Sequence, residues 1–152
     1  MTNLNSMEKT CVIIKPDGVC KKVSGDIIKR FDSEGLKLVA IRMVKPQRAA
    51  FERFYAVHKE REFFGQLVNF MCSAPVIVMA WEGRDAVASV RQIIGATNSK
   101  EAAEGTLRNM FGTDGRKNVV HASDSVENAA KEIAIFFSEE DLMQYDYSDW
   151  KE

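Results

Sequence analysis

His121 lies in the stretch Asn118-Val119-Val120-His121-Ala122-Ser123-Asp124-Ser125, where two valines end a short buried strand and small polar residues open a helix. That order puts an imidazole at a strand-to-helix corner. Asp124 can cap the helix, with Glu127 three residues on completing a capping box, and the free N–H groups at such a helix start favour a nearby anion such as phosphate. Downstream, Ala129, Ala130, Ile133 and Phe137 form an apolar helical stripe from which Glu132, at its margin, could reach back to a ring. A histidine whose far nitrogen is held by a carboxylate keeps its other nitrogen unprotonated near neutral pH and can act as a nucleophile. The competing reading is a histidine packed in a core or interface and bonded to backbone. Spacing leaves both open.

The elements that would position this ring follow from the pattern of apolar residues. Residues 10–15 are short, apolar and β-branched, a central strand that Pro16-Asp17-Gly18 ends in a turn. Lys15 at its exit is either a solvated end-of-strand charge or a phosphate ligand aimed into a cleft. Ile27, Ile28 and Phe31 have helical spacing over residues 25–31, and Gly35 is placed to stop that helix. A second strand covers 36–44. Pro46 suits the first turn of a helix running to Val57, with Phe51, Phe54 and Tyr55 on one side.

Residues 59–72 predict one helix or two short ones, carrying more large apolar side chains than a single buried stripe needs, so the hairpin is deeply packed or keeps an aromatic at a cleft mouth. Residues 75–81 form a third strand. Gly83 then leads into a helix bearing Val87, Val90, Ile93 and Ile94, closed by Gly95, with Arg91 on its other face. Residues 96–117 are rich in Gly, Thr, Asn and charge and weak in periodicity, and so long an irregular connection in a compact domain is usually functional or an oligomer contact. Residues 118–121 make the fourth strand. The order β-α-β-α-α-β-α-β-α predicts an α+β fold, a ferredoxin-like split βαβ sandwich whose four-stranded antiparallel sheet is covered by helices.

The chain has 152 residues, 45% of them hydrophobic, enough for one domain with a substantial core. A formal net charge of -1 argues against a duplex nucleic-acid binder. Cys11, Cys20 and Cys72 are odd in number and without CxxC spacing, which fits reduced thiols in a cytoplasmic protein and no metal site. Residues 1–8 are polar and lack the apolar core of a signal peptide, and no run approaches the ~18 apolar residues that span a bilayer. Residues 138–152 form an acidic tail with spaced aromatics, expected over the domain surface or a neighbouring subunit.

Asn-x-x-His-Ala-Ser-Asp-Ser, together with Lys-Pro-Asp-Gly after the first strand, resembles the signatures of the nucleoside diphosphate kinases, and the likeness runs over residues 9–137. The resemblance implies the same fold and transfer of the γ-phosphate of ATP to nucleoside diphosphates through a phosphohistidine on His121. It implies that Glu132 orients His121, that Lys15 and Asn118 hold the sugar hydroxyl and phosphates, and that Arg91, Thr97 and Arg108 bind phosphate. It further implies that Phe63 stacks on the base and that Tyr55 and Ser123 shape the site around the transferred group. Mg²⁺ would arrive with the nucleotide, and a homo-oligomer, hexamer or tetramer, is implied as well.

Several positions depart from the family pattern. Asn109-Met110 replaces Gly-Asp, Gly115-Arg116-Lys117 replaces Val-Gly-Arg, and Ser99 and Glu104 replace prolines. These changes motivate the alternative of a nucleotide- or nucleic-acid-binding module of the same fold with little turnover.

Overall fold

The computed structural model describes residues 7–150, so most of the polar segment 1–8 and the last two residues of the tail lie outside it. Four strands, β1 (Met7–Ile14), β2 (Lys37–Val44), β3 (Val76–Arg84) and β4 (Val120–Ala122), form one sheet in the order β2-β3-β1-β4. Every pairing is antiparallel. The helices are α1 (Pro16–Cys20), α2 (Ser24–Ser33), α3 (Arg48–Phe54), α4 (Phe64–Met71), α5 (Ala86–Ile94), α6 (Leu107–Phe111) and α7 (Val126–Phe136). This is the split βαβ sandwich that the element order predicts.

The central strand β1 is buried on both sides, and Cys11, Val12, Ile13 and Ile14 are fully enclosed. Successive side chains of a strand point to opposite faces, which sorts them into two cores. Cys11 and Ile13 pack with Val76, Val78 and Ala80 against Phe51, Phe54, Tyr55, Val68, Met71, Ile133 and Phe136 of the α3, α4 and α7 side. Val12 and Ile14 pack with Met79 and Trp81 against Ile27, Phe31, Val90 and Ile94 of α2 and α5. His121 is the register partner of Ile13, so its ring emerges on the α3–α4–α7 side.

Several local features differ from the sequence expectations. Pro16-Asp17-Gly18 is the first turn of α1, with proline at its start, where a missing N–H costs nothing. Pro46 stands two residues ahead of α3, which ends at Phe54 and yields to a tighter turn over Ala56–His58. Gly83 lies inside β3, and the reversal into α5 occurs at Asp85 with φ 52°. Ser125 caps α7 by accepting from the Asn128 N–H, because its extended backbone aims the hydroxyl into the first turn. Asp124 bonds the Asn128 side chain instead. The buried stripe of α7 is Ala129, Ile133 and Phe136, with Ala130 exposed.

After α7 the chain crosses the edge of β2. The Met143 N–H donates to the Val39 carbonyl at 2.8 Å, Lys37 Nζ donates to the Tyr145 carbonyl at 2.6 Å, and the Tyr145 hydroxyl donates to the Leu38 carbonyl. Among the described residues no helix is long and apolar enough to cross a membrane.

The turn that introduces the fourth strand is strained. Val119 has φ 64°, a region that β-branched residues rarely adopt, and it is fully buried. Two bonds hold it there: its N–H donates to Asp17 Oδ2 at 3.0 Å, and its carbonyl accepts the Lys15 N–H at 2.8 Å. Gly18 completes the seat, since a Cβ there would stand 2.8 Å from the Val119 oxygen and 2.9 Å from Ile14 Cγ2. Gly18→Ala should therefore cost about 1–3 kcal/mol through overpacking, or about 2–4 °C of Tm per kcal/mol. Thermal melts check this, with Gly25→Ala, where no atom lies within 4 Å, as the control that leaves Tm unchanged or higher.

Candidate active site

His121, at the centre of β4, opens into a cleft of about 1080 Å³ between the sheet edge, the α3–α4 hairpin, α7 and the 113–117 loop. Its Nε2 lies 2.9 Å from Glu132 Oε1. Glu132 also receives the Ser123 hydroxyl at 2.7 Å, and the Ser123 oxygen in turn accepts the Cys11 backbone N–H at 3.2 Å. A carboxylate only accepts, so Nε2 carries the proton and Nδ1 is left with its lone pair. Phe54 stands edge-on to the imidazole with ring centroids 4.8 Å apart. Backbone register, carboxylate and aromatic edge together define the ring's orientation.

The cleft brings together Lys15, Tyr55, Phe63, Arg91, Thr97, Arg108, Asn118, His121 and Glu132. Ser123 is the exception among the candidate residues: it is fully buried behind Glu132 and acts on that carboxylate rather than in the cavity. Asn118 is largely committed to the protein. Its carbonyl oxygen accepts Lys15 Nζ at 2.8 Å, and its amide donates to the Thr97 carbonyl at 2.8 Å and the Gly115 carbonyl at 3.3 Å. Lys15 also donates to the Arg116 carbonyl at 2.7 Å, which leaves one of its three N–H groups for a ligand.

Arg108 is nearly enclosed and donates to the carbonyls of Gly95 at 3.1 Å and Val120 at 2.8 Å. Arg91 is exposed and reaches the Ala122 carbonyl at 3.3 Å. Burial lowers Lys15 to about 8, partly offset by the Asp17 carboxylate, and burial followed by the neighbouring Arg91 lowers Arg108 to about 10. Both remain charged at neutral pH. Tyr55 is pushed well up, by burial first and the Glu132 carboxylate second, and stays a neutral phenol.

The remaining lining residues add Arg53, Arg116, Lys117 and Lys131 on the positive side and Asp114 and Asp124 on the negative. Asp114 is already engaged, accepting the N–H groups of Arg116 at 2.9 Å and Lys117 at 2.7 Å, and these bonds, Lys117 first, hold its carboxyl below the ordinary range. A cleft this rich in cations, with a basic imidazole nitrogen in its wall, is built for a polyanion that undergoes transfer to that nitrogen. Among the described residues no group of three or more His, Cys, Asp or Glu side chains could hold a metal ion.

Sequence reasoning missed Phe54, Gln66, Arg116 and Lys131. Phe54 follows Phe51 at helical spacing, which marks burial and says nothing about the ring it touches. The Asp114-Gly115 pair is a turn signal that could have pointed to the fixed loop backbone. The bond from Arg116 to Gln66 spans 50 residues and leaves no local trace. Asn109 and Met110, by contrast, lie outside the cavity lining: the Asn109 amide donates to the Ala102 carbonyl at 3.2 Å and Met110 is exposed.

A family model described as nucleoside diphosphate kinase matches residues 8–142. The chain is 54% identical over 142 residues to the nucleoside diphosphate kinase of Myxococcus xanthus, covering 93% of this chain and 98% of that one. To the Picosynechococcus enzyme it is 49% identical over 140 residues, 92% of this chain and 94% of the other. Among solved structures, the Aquifex aeolicus nucleoside diphosphate kinase superposes with a TM-score of 0.89 at 44% identity, covering 91% of this chain and all 100% of that one. A halophilic nucleoside diphosphate kinase from Halobacterium salinarum, solved in complex with CDP, gives a TM-score of 0.89 at 40% identity over 91% of this chain and 93% of that one. Sequence and fold agree along nearly the whole length of the chain, which therefore belongs to the nucleoside diphosphate kinase family of phosphotransferases.

Proposed function

We propose that His121 carries a phosphoryl group between two nucleotides that occupy the cleft in turn, with ATP as donor and a nucleoside diphosphate as acceptor. The observation that carries this reading is the 2.9 Å contact of Nε2 with Glu132 in a wall otherwise lined with cations, because it leaves Nδ1 as the nucleophile. The Nδ1 lone pair attacks the γ-phosphorus, the bond from that phosphorus to the β–γ bridging oxygen breaks, and ADP leaves with those electrons. The positive charge left on the phosphorylated ring is offset by Glu132. A bound nucleoside diphosphate then attacks the phosphoramidate with a terminal β-phosphate oxygen, and the electrons of the N–P bond return to Nδ1.

Lys15, Arg91 and Arg108 offset charge on the phosphates during both halves, with Thr97 and the Asn118–Lys15 pair lining the path of sugar and phosphates. Tyr55 lines the same cleft as a neutral phenol, while Ser123 works through Glu132. Phe63, 39% exposed at the mouth, offers its face to the base, and a stack of that kind tolerates any base. The CDP complex of the halobacterial relative supports a nucleotide in this cleft. Mg²⁺, arriving with the nucleotide, would withdraw charge from the transferred group, while Lys15, Arg91 and Arg108 hold the phosphates it accompanies.

A binding module with little turnover is not favoured by the family match and the named relatives. Asn109-Met110 lies outside the cleft, and although Gly115-Arg116-Lys117 lines it, the matched site residues His121, Lys15, Arg91, Arg108 and Asn118 are all in place. A cytoplasmic setting fits the free thiols Cys11, Cys20 and Cys72. We infer a homo-oligomer, tetramer or hexamer, of domains spanning 9–137, with the 138–152 tails lying over the surface or a neighbour. The exposed Ile41 and Met43 on edge strand β2 favour such an assembly.

With γ-labelled ATP, label should remain on the protein, acid-labile and alkali-stable, and be absent in His121→Ala; wild-type protein that takes no label sinks the reading. Glu132→Gln keeps the size but can hand a proton to Nε2, so kcat for exchange between ATP and GDP should fall about 10²–10⁴-fold. Because Lys15 in the free enzyme titrates near 8 and its charged form binds phosphate, ADP affinity should decline as pH rises through that value, with proton uptake on binding above it. Calorimetry in two buffers from pH 6.5 to 9.5 measures both, and Lys15→Ala should abolish the inflection.

A further inference from the structure

The 113–117 loop presents a cation that the phosphoryl chemistry above leaves without a part. Arg116 is fixed at both ends of its residue. Its N–H donates to Asp114 Oδ1 at 2.9 Å, its carbonyl receives Lys15 Nζ at 2.7 Å, and its Nη2 donates to Gln66 Oε1 on α4 at 2.8 Å. These bonds meet part of the cost of ordering Arg116 already in the free protein. Gln66 follows Phe63 by three residues, so Arg116 is tied to the same side of the hairpin that carries the exposed ring.

Phe63, Gly115 and Arg116 line one cavity. Gly115 contributes only backbone, and apart from its chain neighbours no atom lies within 4 Å of where its Cβ would project. At Gly115 the cavity wall therefore carries no side chain, and the planar guanidinium of Arg116 is the next group along the loop.

We propose that Arg116, held by Gln66, forms the second wall of the base slot, its guanidinium plane lying on the face of the nucleobase opposite Phe63. This rests on the kinase reading of the cleft, with the base at Phe63. Guanidinium is planar and weakly hydrated and stacks on aromatic faces, which Lys117 beside it cannot do. Stacking uses the face of the group while the bond to Gln66 uses its edge, so base binding breaks nothing. Every base has such a face, so discrimination stays lax, with purines gaining more than pyrimidines from their larger area.

The test is calorimetric titration of ADP, CDP and, as a base-free probe, inorganic tripolyphosphate into wild-type protein, Arg116→Lys and Gln66→Leu. Arg116→Lys keeps the charge and loses the plane. It should weaken ADP about 3–10-fold, CDP less, and tripolyphosphate under about twofold, and Gln66→Leu should weaken ADP in the same order of ligands. The proposal is overturned if Arg116→Lys leaves ADP binding unchanged, or weakens ADP and tripolyphosphate alike, the pattern of a phosphate ligand, with the kinase reading intact. Wild-type protein that binds tripolyphosphate but neither nucleotide overturns the nucleotide reading as well.

Discussion

The hydrogen bond between His121 and Glu132 is the interaction on which the rest of the site depends. At 2.9 Å, to a carboxylate that also receives Ser123 at 2.7 Å, it assigns the ring proton to one nitrogen and withholds it from the other. The bond exists because β4 pairs with β1 in a register that sets His121 opposite Ile13, on the face that α7 covers. A slip of one residue would turn the ring into the other core, among Trp81 and Phe31. Chemistry and sheet register are in that sense one constraint.

Around that bond the cleft stores electrostatic free energy. Lys15 and Arg108 are almost fully enclosed, and burial lowers both from their ordinary values. Of the carboxylates lining the cleft, Glu132 is committed to His121, Asp114 to its own loop and Asp124 to the Asn128 side chain. The positive field is left for a polyphosphate, whose binding relieves repulsion that folding has already accepted. Placing the donors beforehand is what makes them effective, since they need not reorganise as charge shifts during transfer. The strained Val119, pinned by Asp17 and Lys15, belongs to the same design: it lets the chain turn sharply between Asn118, facing the cleft, and Val120, in the sheet.

Much of this was legible in the residues. Buried strands show as apolar runs, so β1 and β3 stand out, β2 shows as a strand of mixed burial, and helical spacing marks α2, α5 and α7. Boundaries were less readable. Pro46 is compatible with a helix start or with the extended approach to one, and tertiary packing chose the latter. Gly83 reads as a breaker but lies within β3, where a Cβ would press on Leu36 at 2.8 Å, so its smallness serves packing rather than a turn. Ser125 and Asp124 are equally good caps by type, and only the backbone angles decided between them.

By itself the sequence determined the order of elements and the central place of β1, because periodicity is a local property. His121, Glu132, Lys15, Arg91 and Arg108 came together as a phosphate-handling set only through the resemblance of their motifs to the kinase signatures, since spacing alone left other readings open. Only the tertiary structure decided that Phe54 meets the imidazole, that Ser123 sits behind Glu132 instead of in the cavity, and that Arg116 bonds Gln66 on α4. Each of these joins segments far apart in the chain, and such contacts follow from the pairing and packing of whole elements, which no short stretch encodes.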